Sequence, residues 1–330
     1  MRHALLAAFI AVLPAPALAQ TNSAASDYRA PRTSFGQPSL EATWVSNAIL
    51  SLEAIPEAPD LVVPEAEAKR ISDVIVRANA DLPIFFLDPE VPEGFRETGR
   101  MNGLGIVRGE RRTRQVVAPP DGRLPTTAAA RRQIDQIEEI TRSSVSPPLG
   151  NTADNPEQRP LWERCVAMQA NPPIASPQTS APLQVIQTRD HVILHQDYGG
   201  EARIIPFAAR HKSINFRHPL GDSIARWDGE TLVVETINPH FADRVRFGPV
   251  VLLSPRSKVT EKFTRVSERE LLYQYTIEDP ALYTAPWLAE YSFYRSNDRM
   301  YEFACHEGNY SLPNIMLGQR VAEQRTARKP

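Results

Sequence analysis

Proline is spread so unevenly along this chain that it separates two kinds of fold. Thirty prolines stand against fifteen glycines, and they cluster before residue 182, at 56–64, 83–92, 119–125 and 147–182. Each proline fixes φ, removes a backbone donor and restrains the residue before it, so long regular elements are excluded there. The first half is expected to be extended arms and turns with a few short helices.

Past residue 182 the pattern changes to a succession of hairpins. Runs at 183–188 and 191–197 flank Arg189-Asp190, and Tyr198-Gly199-Gly200 turns the chain into 201–207. Runs at 223–227 and 231–237 flank Asp228-Gly229-Glu230, a strong tight-turn signal. Further pairs are 259–266 with 271–278, and 287–295 with 299–304 across Asn297-Asp298. Alternation puts Leu271, Tyr273, Tyr275 and Ile277 on one face, and Trp287, Ala289, Tyr291 and Phe293 on another. So many antiparallel strands must hide their edges, and closure is one solution. The expectation is a mainly β chain: an antiparallel up-and-down, lipocalin-like β-barrel at 182–312, with a two-sheet sandwich as the alternative. A barrel of this size holds one small ligand.

The remainder divides as a signal peptide at 1–19, a Pro-rich wrapping arm at 20–181 and a C-terminal tail at 313–330. Apolar spacing predicts helices over 65–79, 127–141 and 156–168, the last carrying Leu161, Cys165 and Met168 on one stripe. A segment around Trp44, at 40–47, reads as an additional strand. The run at 105–117 is extended and dense in arginine (Arg108, Arg111, Arg112, Arg114), either a solvated face or an anion-binding groove.

The first residues give an address. Met1-Arg2-His3 is a short positive start, residues 4–13 are apolar, and Ala17-Leu18-Ala19 supplies small residues for cleavage after Ala19. The mature chain is expected to be periplasmic or secreted, with no membrane span. Removing Arg2 takes the formal charge from −2 to −3, which gives no reason to expect nucleic acid. In an oxidising compartment the two cysteines, Cys165 and Cys305, have three readings: a disulfide, two buried thiols, or a reactive Cys305 beside His306.

Four stretches carry a resemblance: Val117-Ala-Pro-Pro-Asp-Gly-Arg-Leu-Pro125, Asn155-Pro-Glu-Gln-Arg-Pro-Leu-Trp-Glu-Arg-Cys165, Gly221-Asp-Ser-Ile-Ala-Arg-Trp-Asp-Gly-Glu-Thr-Leu-Val-Val-Glu-Thr236 and Tyr301-Glu-Phe-Ala-Cys-His-Glu-Gly-Asn-Tyr310. Their order resembles a large family of exported bacterial proteins with a Cys-His-Glu-Gly-Asn motif near the C-terminus. The resemblance implies one architectural unit and suits a Cys165–Cys305 bridge. It implies no particular reaction.

The densest chemistry lies at 299–312, where Cys305, His306, Glu307, Asn309 and Tyr310 fall within six positions at the end of a strand-like run. A histidine held by a carboxylate is a general base, so His306, Glu307, Asp222 and Glu235 are the catalytic candidates. The bland alternative has His306, Glu307 and Asn309 fixing a loop. Arg226 and Glu235 form either an ordinary cross-strand ion pair or a cavity lining. Arg226, His195, Arg203, Asn309, Tyr310, Trp227 and Tyr291 are the ligand-binding candidates. No HExxH, CxxC, Gly-x-Ser-x-Gly or phosphate-cradling glycine loop occurs, so no metal or cofactor is expected. Two functions remain: binding a small apolar or aromatic molecule in the barrel, or cofactor-independent acid/base catalysis of the lyase, isomerase or hydratase type in the same cavity.

Overall fold

A computed structural model describes residues 28–46, 50–56, 58–78, 103–143, 153–159, 163–165, 172–174, 182–197, 201–212, 218, 220–239, 250–297 and 299–327. The signal peptide, the 83–92 prolines, Leu161, Met168, the 198–200 turn, His240 and Asp298 lie outside them. Among the described residues no helix is long and apolar enough to cross a membrane.

The chain is mainly β and antiparallel. Strands β6 (Leu183–Gln187), β7 (His191–Gln196) and β8 (Glu201–Pro206) form one meander. A second is made by β9 (Asp222–Asp228), β10 (Thr231–Ile237), β11 (Lys258–Arg265), β12 (Glu270–Glu278) and β13 (Trp287–Ser296). The two are joined by β1 (Ala42–Val45), the strand around Trp44, which pairs with β13 on one side and β6 on the other.

The resulting order is β8-β7-β6-β1-β13-β12-β11-β10-β9. Eight successive antiparallel steps leave β8 and β9 pointing the same way. They meet only at a single parallel bridge, Phe207 with Ala225, with no ladder between them. The lipocalin-like closure is therefore not what the ladder shows. With nine strands on the path, a seam between its ends must be parallel, whereas an even number closes antiparallel throughout.

The strand predicted at 299–304 is absent. The edge of β13 that it would have paired with is already occupied, by β5 (Val116–Ala118) at one end and β1 at the other. Helix α1 (Glu65–Ala78) and helix α2 (Ala128–Ser143) fall where the spacing predicts them. Among the described residues of the third predicted helix, 156–159 and 163–165, no α-helical turn forms. Its start is a 3-10 turn, Pro156–Gln158, and Arg159 is extended at φ −85°, ψ 149°, as a residue preceding a proline tends to be. The tail instead contains helix α3 (Ser311–Ala327). Pro313 sits in its first turn, and Asn309 Oδ1 accepts the Leu312 N–H at 3.2 Å, satisfying a donor that the helix leaves free.

The arginine-rich run is neither a solvated face nor an open groove. Strands β3 (Ile106–Val107) and β4 (Glu110–Arg112) form a hairpin that also pairs with β2 (Val62–Val63). Its turn has positive φ at Arg108 and Gly109, the pairing a tight hairpin needs. Arg108 and Arg112 reach the buried Glu290 at 3.2 and 3.4 Å, and Arg111 pairs with Glu65 at 2.7 Å. Buried Arg114 donates to the carbonyls of Val116, Pro59 and Pro120. The arginines thus clip the arm to the outer side of the sheet.

Cys165 and Cys305 are bonded to each other. Asn309 Nδ2 lies 2.8 Å from the Glu163 carbonyl and 3.3 Å from Cys165 Sγ, tying the same two segments together. The bridge spans 140 residues, and the chain-entropy account of such a loop gives about 4–5 kcal/mol. Reduction, or Cys165→Ser with Cys305→Ser, is expected to lower unfolding free energy by several kcal/mol. Urea titration with and without reductant measures it.

Candidate functional site

The strands carry one parity of side chain inward, and register fixes which. Leu232, Val234 and Thr236 of β10 face Phe263, Glu261 and Val259 of β11, which in turn face Tyr273, Tyr275 and Ile277 of β12. Continuing round, Tyr291, Ala289 and Trp287 of β13 share this face, as do Trp44, Leu183, Val185, Leu194 and Arg203. Both aromatic rows expected from alternation are therefore inward. They also pack on one another: Tyr273 lies 4.8 Å from Phe263, 5.5 Å from Tyr275, 5.2 Å from Tyr291 and 5.9 Å from Phe293, ring centroid to centroid.

Within this apolar lining sits a connected polar cluster. Arg203 of β8 donates to both carboxylate oxygens of Glu261 on β11, at 3.1 and 2.6 Å. The two side chains are 3 % and 0 % exposed. Arg203 also reaches Thr236 Oγ1 at 3.5 Å, and Thr236 pairs with Ser223 at 2.8 Å. The Tyr273 hydroxyl donates to Glu261 at 2.7 Å and accepts the Ile174 N–H at 2.8 Å. The Tyr291 hydroxyl donates to the Ile174 carbonyl at 2.7 Å. Ile174 is itself buried. The backbone N–H and carbonyl of one residue, which belong to successive peptide groups, are thus each met by a phenol inside the curled sheet.

Burial raises both phenols well above the ordinary tyrosine range, and the charge of Glu261 adds to the effect. Arg203 Nε and Gln196 Oε1 are buried without a hydrogen-bond partner, a rare state for such atoms.

A second cluster lies on the outer face. Gly221, at φ +77°, immediately precedes β9, and a Cβ there would lie 2.8 Å from the Ile237 carbonyl. The turn delivers Asp222 beneath the segment that leaves β8. There His211 Nδ1 is 3.0 Å from Asp222 Oδ2 and Nε2 is 3.1 Å from Glu235 Oε1. Lys212 N–H also donates to Asp222 at 2.7 Å. Both ring nitrogens face carboxylate oxygens. The two bonds form together only when each nitrogen carries a proton or one carboxyl does.

The candidates from sequence are thereby distributed over several places. Arg203 and Tyr291 come together inside. Asp222 and Glu235 come together outside, on His211. Arg226 is exposed and opposite Val233, while Glu235 is opposite Ile224, so the two do not form a direct cross-strand pair. His195 is on the outer face of β7 opposite Ala202, with Arg203 facing the other way. Trp227 is half-buried and stacks on Phe207 at 6.4 Å. His306, Glu307 and Tyr310 are exposed at the disulfide turn. Asn309 serves the loop and α3.

Glu261 was legible in principle, since it stands between Val259 and Phe263 on one face of the strand. Nothing local marks His211, which meets its partners only through the path from β8 to β9. Among the described residues no group of three or more His, Cys, Asp or Glu is arranged to hold a metal ion. Neither a family model, nor a curated protein, nor a solved structure matches the chain.

His211→Ala is expected to destabilise by about 1–3 kcal/mol because it leaves the buried Asp222 carboxylate short of a partner. Glu235→Ala should cost less, since that side chain is 36 % exposed. His306→Ala should stay within about 0.5 kcal/mol. Urea midpoints rank the three. The raised phenols predict an alkaline limit. Ionisation is suppressed in the fold but free in the unfolded chain, so their contribution is complete below about pH 10 and is lost as pH rises beyond it. Absorbance at about 295 nm should show Tyr273 and Tyr291 titrating only with unfolding.

Proposed function

We propose that this is an exported, soluble binding protein of the periplasm or extracellular space. Its ligand is a small apolar or aromatic molecule enclosed by the curled sheet, which acts as a barrel. Kinship with the exported family read from the sequence motifs belongs to the same proposal. The observation that carries it is the interior polar cluster: Arg203, Glu261, Tyr273 and Tyr291 are fixed within an aromatic lining, with two buried polar atoms unfilled. A mostly apolar concave surface with a few convergent polar groups is how small-molecule sites are built.

Acid/base catalysis is the second reading, and the contact of His211 with Asp222 and Glu235 favours it. Its base is then His211 rather than His306, whose imidazole is exposed. A fully paired imidazole must first release a carboxylate before it can accept a proton, so binding is preferred.

The neutral probe N-phenyl-1-naphthylamine tests the preferred reading. Fluorescence titration of the mature, disulfide-bonded protein is expected to saturate at one probe per chain. Leu194→Trp fills the interior from β7, and Ile204→Trp adds the same bulk on the outside of β8. The first should weaken binding by about tenfold or more, with circular dichroism unchanged, because the larger ring occupies the place the ligand takes. The second should leave binding unaltered. Non-saturating binding, or equal effects of the two variants, removes the interior site.

A further inference from the structure

The interior already contains one bound group, and it belongs to the chain. Ile174 presents an N–H and a carbonyl, and each is met by a phenol at 2.7–2.8 Å. Its side chain lies in the same aromatic lining, 2 % exposed. Tyr273 can accept from the Ile174 N–H because its own proton is committed to Glu261. Tyr291 is left free to donate. The two phenols are therefore set as one acceptor and one donor, the complement of a neutral group that carries both an N–H and a carbonyl.

Two unfilled atoms extend the same pattern. Arg203 is opposite Leu194 in the β7–β8 register, two positions from Gln196 on the inward face, which places the two side chains about 7 Å apart at Cβ or closer. Arg203 Nε offers a proton and Gln196 Oε1 a lone pair, both buried and both unpartnered.

Charge selects further. The guanidinium of Arg203 is matched by the carboxylate of Glu261, so the cluster has no net charge to offer an ion. A second inward cation, Arg265, is occupied by the carbonyls of Ser39, Ser267 and Glu268. A carboxylate or ammonium entering here would lose its hydration without gaining a counter-charge. A neutral head with both a donor and an acceptor loses far less.

We propose that the ligand is a neutral molecule with an apolar body and a head that carries both a hydrogen-bond donor and an acceptor, as amides do, and that it takes the place of the Ile174 N–H and carbonyl on Tyr273 and Tyr291. Arg203 Nε and Gln196 Oε1 supply further contacts to its polar end. The inference rests on the binding reading above and narrows it to a chemical class.

Three probes of similar size separate the possibilities by calorimetry on the mature, disulfide-bonded protein: acetanilide, phenylacetate and phenethylamine. Acetanilide is expected to bind about tenfold tighter than either ion, or better, because only the ions pay uncompensated desolvation. Ile174→Gly weakens the internal occupant and should tighten acetanilide severalfold. Glu261→Gln leaves Arg203 unmatched and should move the preference towards phenylacetate.

Phenylacetate binding the unaltered protein as well as acetanilide overturns the neutral class while leaving a binding protein. Preserved selectivity that is indifferent to both substitutions overturns the placement at Ile174. Failure of all three probes on the unaltered protein and on Ile174→Gly removes the binding reading itself.

Discussion

The bidentate pair of Arg203 with Glu261 is the contact on which the shape of this molecule depends. It joins β8 to β11, strands at opposite parts of the ladder, with both side chains almost wholly excluded from water. Such a pair is weak as net stabilisation, because each charge has been stripped of its hydration. Its worth lies in the penalty for separating the partners. Any opening of the curl that parts β8 from β11 leaves two buried charges alone, which costs several kcal/mol. Backbone pairing cannot do this work where β8 meets β9, since a single bridge is all that joins them. A side-chain clasp through the interior holds what the ladder leaves open.

The second constraint is the use made of the N-terminal arm. Strand β1 fills the place between β13 and β6, and its Trp44 is fully buried, with Nε1 donating to the Leu40 carbonyl at 2.8 Å. Arg265 stacks over that ring at 5.6 Å. The β3–β4 hairpin covers the outer side of β12 and β13 through Glu270 and Glu290. An arm that proline keeps from forming long elements is therefore built into the sheet rather than wrapped loosely around it. The Cys165–Cys305 bond secures the later part of the arm to the residues after β13, where no strand is available to do so.

The proposed function rests on the same arrangement. An interior this aromatic would be an ordinary core but for Arg203, Glu261 and the two phenols on Ile174. Those groups convert part of it into a surface with defined donors and acceptors. In the motif near the C-terminus, Asn309 serves the disulfide segment and α3, while His306, Glu307 and Tyr310 are exposed at the same turn. The polar groups that cluster in the interior come from β8, β11, β12, β13 and Ile174.

Alternation and turn chemistry alone determined the hairpin strands from β6 to β13, their inward aromatic faces and helices α1 and α2, because these depend on neighbours a few residues apart. Glu261 was visible in the same way, as a charge on an apolar face, though its partner was not. Tertiary structure alone decided the rest. The far edge of β13 is taken by β1 and β5, so 299–304 stays out of the sheet. Arg159 turns extended before Pro160, so the 3-10 turn at Pro156–Gln158 does not run on through it. Glu261 finds Arg203, and His211 finds Asp222 and Glu235, through the closing of segments that local pattern cannot bring together. Periodicity records which way a side chain points; only the path of the whole chain determines what it meets.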